Sequence, residues 1–305
     1  MIVQIYEIQT PREAEQCIDA GVDHIGSVIL SESDWHQPEI HDVISVSDGT
    51  PVKNSIIPLF QDIDTISRVI DYYNPDFIHF CETLTDDHGK KIDFGQLIDL
   101  QSEVKEKFPG VGIIRSIPIP SEKTALDFPS LLIANKFEPI SDYFLTDTWL
   151  GNDPVKGFIG ITGKLCDRNT AKQLVNQSRI PVILAGGLSP ENVYKAVMDV
   201  YPSGADSCTL TNAVDERGCP VRFKKDFRRV RRFVEEVRRV QQDLMQKKTI
   251  LIREIEELKE SLRDREAALP AHSIRPHQIL VIEELEEKIT QKEEMLQRIS
   301  TMIAC

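Results

Sequence analysis

Two adjacent glycines in the second half of the chain, Gly186 and Gly187, have the types and spacing that point most directly to chemistry. An apolar run over 182–185 leads into them, and Ser189, Pro190 and Glu191 follow in an order that starts helices. Glycine lets the backbone approach an anion closely, and the N–H groups at a helix start face whatever the turn holds. The pattern predicts a phosphate-binding turn. For a glycine pair alone, a tight turn that binds nothing is the alternative.

The charge of the chain is acidic and uneven. Of 305 residues, 49 are Asp or Glu and 36 are Lys or Arg, which gives a formal net charge of −13. Residues 223–305 hold 18 basic and 16 acidic residues, so a charge of about −15 falls on residues 1–222. We therefore expect no nucleic-acid partner. An anionic small molecule would need a local group of hydrogen-bond donors.

The remaining composition argues against a membrane, a metal ion or a cofactor. No apolar run approaches the length of a membrane span, and Met1 leads directly into a strand-like stretch, so we expect a cytoplasmic protein. Six cysteines are scattered without paired spacing. This spacing favours reduced thiols over a zinc site or a disulfide framework.

Eight short β-branched runs alternate with amphipathic helical stretches such as 11–20 and 62–73. These elements must position the glycine pair and any other functional residue. The predicted strands are Val3–Ile8, His24–Leu30, Ser55–Phe60, Asp76–Phe80, Gly112–Ile117, Asp142–Thr146, Pro181–Ala185 and Asp206–Leu210. Eight β-α units on one core favour an α/β fold of the (β/α)8 TIM-barrel type over an open, doubly wound sheet. In such a barrel the functional residues lie at the C-terminal ends of the strands.

Five segments at these strand ends resemble, in the correct order, motifs of phosphoribosylanthranilate isomerase, a barrel enzyme of tryptophan biosynthesis. The segments are Val3–Ile8, Ala20–Gly26, Phe144–Thr148, Gly160–Asp167 and Ala185–Asn192. The last reads Ala-Gly-Gly-Leu-Ser-Pro-Glu-Asn and is nearly identical to the motif of the family. The resemblance covers roughly residues 1–240. It implies an Amadori rearrangement of an N-linked ribose phosphate, which needs an acid to open the ring and a base to take a proton from the adjacent carbon.

The resemblance places Asp147 at the general-acid position and Tyr6 where the family has its basic cysteine. A phenol, with a reference pKa of about 10, is a poor base at neutral pH. The other candidate bases are Cys81 and His36. Strand alternation places Cys81 on the inward face together with His79, whereas His36 lies in the loop after the second strand. Each has a structural alternative: an ion-paired or capping carboxylate for Asp147, core packing for Cys81 and His79, and a solvated loop position for His36.

The resemblance and the glycine turn together indicate a set of binding residues. The predicted substrate- and phosphate-binding residues are Gly163, Gly186, Gly187, Thr209, Leu210, His79 and Arg115. Leu210 replaces the glycine of the family's second phosphate loop. The loop Ser31–Gln37 lacks the arginine that the family brings to the substrate, so a substrate carboxylate would lose a bidentate partner. Arg115 either offsets the charge of Asp147 or forms an outward ion pair.

The C-terminal part of the chain has a different pattern. From Phe223 to Leu269, apolar residues recur with the 4-3 spacing of a heptad seam, and a second apolar series runs from Ile282 to Ile303. Because prolines at 270 and 276 separate the two series, we expect a long antiparallel helical hairpin, or coiled coil, that folds back at 270–276. We predict a barrel over 1–240, with its eighth helix starting at Phe223, and a hairpin over 241–305.

The sequence thus predicts a cytoplasmic barrel that binds a phosphorylated small molecule and performs sugar-phosphate isomerisation on an altered substrate. One alternative is a catalytically inactive barrel that serves as a ligand-binding or scaffold module through its hairpin. Another is the ordinary isomerase of the tryptophan pathway with a substituted base. Several apolar residues lie off the heptad seam, among them Ile250, Ile252, Leu280 and Val281. A partner, most simply a second copy of the chain, would cover them, although a self-contained stabilising hairpin is also consistent with the pattern.

Overall fold

The computed structural model describes residues 1–121, 128–151, 154–270 and 275–304. The chain divides into two compact units, Met1–Arg238 and Arg239–Cys305. The predicted reversal at 270–276 falls partly on residues 271–274, outside the described residues.

The first unit is a closed barrel of eight parallel strands in sequential order, in which β1 pairs with both β2 and β8. The barrel strands are β1 (Ile2–Tyr6), β2 (His24–Ile29), β3 (Lys53–Pro58), β4 (Phe77–Phe80), β5 (Gly112–Pro120), β6 (Tyr143–Trp149), β7 (Val182–Leu184) and β8 (Gly204–Ser207). All eight predicted strands overlap these segments, and the predicted TIM-barrel fold is confirmed. The main difference is at β8, where residues 209–211 form a short 3-10 turn.

The helices that follow the strands bury one face against the barrel. They are α1 (Pro11–Ala20), α2 (Pro38–Ser47), α3 (Ile63–Tyr73), α4 (Gly95–Lys107), α5 (Ser130–Phe137), α6 (Arg168–Gln177) and α7 (Val193–Val200), and the longer helices α8 (Phe227–Ala267) and α9 (Pro276–Ala304) come later in the chain. Three of them begin at a side-chain cap: Thr10, Asp62 and Asp167 each accept a hydrogen bond from the backbone N–H three residues later. Such caps satisfy N–H groups that have no partner within the helix.

Strand alternation divides the side chains between the inside of the barrel and the layer under the helices. Ile2, Tyr6, Ile114, Leu145 and Ile183 pack together in an apolar cluster inside the barrel. Polar side chains lie among them and are held by hydrogen bonds within the barrel. This interior polar layer positions the site at the carboxyl ends of the strands.

The prediction that a continuous helix starts at Phe223 is wrong by four residues. Residues Pro220–Lys225 form β10, which pairs antiparallel with β9 (Asn212–Val214), and α8 begins at Phe227. The buried ammonium of Lys225 explains the difference, because it donates to the carbonyl of Cys208 and to the side chain of Asn212. These two bonds fix residue 225 in the β-hairpin.

In the second unit α8 and α9 pack together, as the coiled-coil prediction requires. The buried apolar residues are Leu244, Leu251, Ile255, Ile289, Ile299 and Met302. Ion pairs Lys259–Glu293 and Glu254–Lys292 join the two helices. No helix among the described residues is long and apolar enough to span a membrane.

Candidate active site

Two adjoining cavities open at the carboxyl ends of the barrel strands. The larger, of about 550 Å³, is enclosed mainly by apolar side chains, and the smaller, of about 360 Å³, by glycine-containing loops. Asp147, Ile161, Asp206 and Cys208 line both. The two cavities are therefore two parts of one site, with two carboxyl groups at the junction.

Tyr6 lies at the base of the larger cavity and is held by hydrogen bonds on both sides. Its hydroxyl is 2.8 Å from Oγ of Ser55 and 2.6 Å from Nδ1 of His79, whose Nε2 is 2.8 Å from Oγ of Ser116. The ring of Tyr6 occupies space that only a glycine at position 26 leaves open, since a Cβ there would lie 2.0 Å from the ring. The side chain therefore forms part of the barrel interior.

The protonation states of this pair do not suit a base. Burial raises the pKa of Tyr6 well above its usual value, and burial together with the charge of Arg115 lowers the pKa of His79 to about 3. Both side chains are thus neutral at physiological pH. Both nitrogens of His79 already have hydroxyl partners. Tyr6 and His79 therefore stabilise the barrel interior and supply polar groups to the cavity wall, and neither acts as a base.

Asp147 lies near the end of β6, where its side chain reaches both cavities. Its Oδ1 accepts a hydrogen bond of 2.9 Å from the backbone N–H of Thr148. The loop after β6 passes directly over the carboxyl at Gly160, where φ is +116° and a Cβ would lie 2.5 Å from Oδ2. The glycine therefore allows the loop to close over the carboxyl group.

Asp206, on β8, is a candidate site residue that the sequence indicated only as the start of a predicted strand. It is 5% exposed, and its Oδ1 accepts a hydrogen bond of 3.2 Å from the amide of Gln4, which in turn contacts His24. Burial, with a further contribution from the charge of Asp147, raises the pKa of Asp206 to about 8. Strand alternation was the available signal, because Asp206 and Cys208 must share the inward face.

The predicted phosphate-binding residues line the smaller cavity together. Gly163, Gly186, Gly187, Thr209 and Leu210 all contribute to its wall. The three glycines have positive φ, and a Cβ on Gly187 would lie 2.5 Å from the backbone carbon of Lys164. At these positions glycine is required both by conformation and by the close passage of another loop.

The helix after the glycine pair starts later than predicted. Ser189 to Asn192 form a hydrogen-bonded turn, in which the side chain of Asn192 accepts from the N–H of Ser189, and α7 begins at Val193. Because a full turn separates the glycines from α7, the backbone groups that can meet an anion in the smaller cavity belong to the glycine loops and to the short turn at Thr209–Thr211, not to α7.

Cys81 follows β4 and lines the larger cavity, as its predicted inward orientation requires. It is buried against Trp149 and Ile159. Burial and the negative charges of Glu82 and Asp147 raise the pKa of its thiol well above the usual value. The thiol is thus within reach of the site but is not a thiolate at neutral pH.

Two predicted site residues do not reach the cavities. Arg115 is fully buried on the helix-facing side of β5, where its guanidinium pairs with Glu82, donates to Gln101 and stacks on Phe137. Side chains alternate along β5, and the neighbours Ile114 and Ser116 face the inside of the barrel. Arg115 therefore lies between the strands and the helices. The exposed ring of His36 packs on Tyr72, outside the barrel.

Glu7, to which the sequence assigned no role, lines the larger cavity. It has φ of +62°, and its carboxylate accepts hydrogen bonds from Arg222, from the side chain of Asn212 and from the backbone N–H of Phe223. These partners hold its pKa below the usual value although burial acts in the opposite direction. Glu7 therefore joins β1 to the β9–β10 hairpin as a fixed anion.

Among the described residues, no cluster of three or more His, Cys, Asp or Glu side chains is arranged to hold a metal ion. Two carboxyl groups at the junction of an apolar cavity and a glycine-lined cavity suit proton transfer on a molecule with an anionic end.

Comparison with known proteins gives a consistent result. The family model "N-(5'phosphoribosyl)anthranilate (PRA) isomerase" matches residues 3–236. An N-(5'-phosphoribosyl)anthranilate isomerase of Methanocella arvoryzae is 29% identical over 242 residues, covering 77% of this chain and 97% of that protein. One of Aquifex aeolicus is 26% identical over 236 residues, covering 76% of this chain and 96% of that protein.

Solved structures agree on the fold. The phosphoribosylanthranilate isomerase of Thermotoga maritima aligns with a TM-score of 0.56 and 20% identity over 78% of this chain and 99% of that one. An isomerase in complex with reduced 1-(o-carboxyphenylamino)-1-deoxyribulose 5-phosphate aligns with a TM-score of 0.54 and 18% identity, again over 78% and 99%. Because the family model spans well over half of the sequence, the chain belongs to the N-(5'-phosphoribosyl)anthranilate isomerase family.

Proposed function

We propose that the protein isomerises a phosphorylated N-glycosylamine from its aldose to its ketose form by acid-base catalysis. The observation that carries the proposal is the position of Asp147 at the junction of the two cavities. A sugar phosphate whose phosphate lies against Gly163, Gly186 and Gly187 would have its reacting carbons beside this carboxyl group. The family relationship supports the same reaction class.

We further propose that the group attached to the sugar nitrogen is apolar and uncharged. Apolar side chains form most of the wall of the larger cavity, among them Val28, Ile57, Leu59, Leu145, Phe158 and Ile159. The described residues that line the two cavities include no Lys or Arg. A carboxylate on the aglycone, such as the relative's ligand carries, would lie in this cavity near the carboxyl groups of Glu7, Asp147 and Asp206.

Paired substrates test this proposal. The full-length protein is assayed with phosphoribosylanthranilate and with the phosphoribosyl derivative of aniline, which differs only in lacking the carboxylate. A buried group left without a partner costs about 1–3 kcal/mol, and a charged group costs more, so a cavity without a cation should favour the aniline compound in kcat/KM by roughly 10- to 100-fold. A preference for the anthranilate compound would refute the proposal that the group on the sugar nitrogen is uncharged. An absence of turnover with both would support a scaffold function.

We also propose that the hairpin joins two copies of the chain. Ile250, Ile252, Ile279 and Leu280 are between 41% and 58% exposed, which is unusual for large apolar side chains on a self-contained hairpin. A second hairpin would bury them, and the nearly balanced charge of residues 223–305 avoids the repulsion expected between two acidic barrels.

Light scattering tests the dimer with the full chain and with a variant that carries Ile252→Lys and Leu280→Lys. We expect a dimer for the full chain and a monomer for the variant. A monomeric full chain would exclude self-association. As a control, Lys288→Glu changes charge at an exposed position of α9 and should leave the dimer intact.

A further inference from the structure

An aldose-to-ketose isomerisation needs one group that gives a proton and one that takes a proton. Among the described residues, the titratable side chains that line the two cavities are Tyr6, Glu7, His79, Cys81, Asp147, Asp206 and Cys208. Tyr6 and His79 are neutral and bonded to each other, and the thiol of Cys81 resists ionisation. Burial raises the pKa of Cys208 in the same way. Glu7 is held as an anion by Arg222.

Asp147 and Asp206 remain as candidates for the proton donor and the proton acceptor, and their positions suit these two roles. They project from β6 and β8, on either side of β7, and both line both cavities. They differ in environment: Asp206 is 5% exposed with the amide of Gln4 as hydrogen-bond partner, whereas Asp147 is only partly buried and accepts from the N–H of Thr148. Of two interacting carboxyl groups, the more deeply buried one stays protonated to a higher pH.

We propose that Asp206 is the second catalytic residue of this site and acts as its acid, while Asp147 acts as its base. This inference rests on the proposed isomerase function. It departs from the family resemblance, which assigns the acid to the position of Asp147 and the base to a residue that here is Tyr6. The loss of the cysteine is thereby explained, because two carboxyl groups supply both functions.

The proton transfers balance without any additional reactant. Asp206 donates its proton to the ring oxygen of the sugar as the bond between that oxygen and C1 breaks, and the nitrogen lone pair forms the C1–N iminium. The carboxylate of Asp147 then takes the proton from C2, the C2–H electron pair forms the C1–C2 double bond of the enolamine, and the C1–N π pair returns to nitrogen. The enolamine becomes the aminoketose as its C2 hydroxyl loses a proton and C1 gains one. The pair ends with one proton, as it began, on Asp147 in place of Asp206.

The electrostatic surroundings of Asp206 agree with this assignment. Asp147, facing it from β6, raises its pKa by repulsion, and Lys225 on β10 and the hydrogen bond from Gln4 on β1 lower it less than burial raises it. Tyr6 on β1 and Cys208 after β8 are neutral neighbours. With a pKa of about 8, Asp206 is protonated at neutral pH and loses its proton as the pH rises through 8.

Three variants and a pH profile test the inference, with phosphoribosylaniline and phosphoribosylanthranilate as substrates. Asp206→Asn should lower kcat by 10²- to 10⁴-fold with KM changed by less than about threefold. Asp206→Glu, which keeps an acid, should be at least about tenfold more active than Asp206→Asn. The control is Asp142→Asn, which removes a carboxylate just before the opposite end of β6, where Asp142 pairs with Lys105. Its kcat and KM should match those of the wild type. Circular dichroism melts confirm that each variant is folded.

The pH profile separates a catalytic from a structural role. The kcat of the wild type should fall as the pH rises through about 8, because the acid loses its proton, and the residual activity of Asp206→Asn should lack this alkaline decline. If Asp206→Asn retains more than a tenth of the wild-type kcat, or keeps the same decline, the inference is overturned while the isomerase function stands. If the wild type turns over neither substrate, the proposed function fails, and the inference fails with it.

Discussion

Replacing Tyr6 by phenylalanine separates the structural role that we assign to the phenol from a catalytic one. The substitution keeps the ring beside Gly26 but removes the hydroxyl that lies 2.8 Å from Ser55 and 2.6 Å from Nδ1 of His79. The Ser55 hydroxyl can rotate toward another acceptor, whereas Nδ1 of the buried His79 loses its partner. A buried polar group without a partner costs about 1–3 kcal/mol. For a barrel of this size, that corresponds to a decrease in Tm of roughly 2–12 °C.

The assays for this variant are thermal unfolding and steady-state kinetics on the phosphoribosyl substrates. We expect the Tm to fall in the stated range and kcat to stay within about fivefold of the wild type, since a neutral phenol of raised pKa takes no proton from the substrate. Tyr73→Phe is the matched control, because the hydroxyl of Tyr73 contacts the backbone of Trp35 and Gln37 far from the cavities. If the variant instead kept its Tm and lost activity by about 10²-fold or more, Tyr6 would be a catalytic residue.

Three further changes have defined outcomes. Asp147→Asn should lower kcat by 10²- to 10⁴-fold with little change in KM, as measured by steady-state kinetics; full activity would remove Asp147 from the mechanism. Gly187→Ala should raise KM for the phosphorylated substrate by at least about tenfold, because the new Cβ meets the backbone of another loop. Gly218→Ala, at a similar φ of +78° but with open space around the Cβ, should leave KM unchanged, and equal effects in the two variants would refute the steric argument. Arg115→Met leaves Glu82 buried without its cation and should destabilise the barrel by about 3–5 kcal/mol in denaturant unfolding, while the activity per folded molecule stays near that of the wild type.

The sequence predicted the barrel and much of the position of the site. Alternation on the strands correctly placed Tyr6, His79 and Cys81 toward the interior, because side chains on a strand must alternate between its two faces. The glycine motifs similarly predicted residues that line one cavity together, since each glycine has a conformation or a close contact that excludes other side chains.

The features that the sequence did not reveal depend on contacts between distant segments. The strand conformation of residues 220–225 is stabilised by bonds of Lys225 to residues 208 and 212, which a heptad pattern does not reveal. Arg115 was assigned to the site by its charge, although its partner Glu82 comes from the end of another strand. The importance of Asp206 arises from burial and from the proximity of Asp147, and neither is visible until β6 and β8 are placed in one barrel.

The most direct test of the account follows the reacting carbon itself. Phosphoribosylaniline labelled with ¹³C at C2 is incubated with the full-length protein, and the carbon spectrum is recorded with time. The account predicts that the C2 resonance moves from the hydroxyl-bearing region to the ketone region, at a rate that Asp147→Asn reduces by at least 10²-fold. A C2 resonance that stays in place while the protein binds the phosphorylated compound would contradict it, and would show that the site holds its ligand without isomerising it.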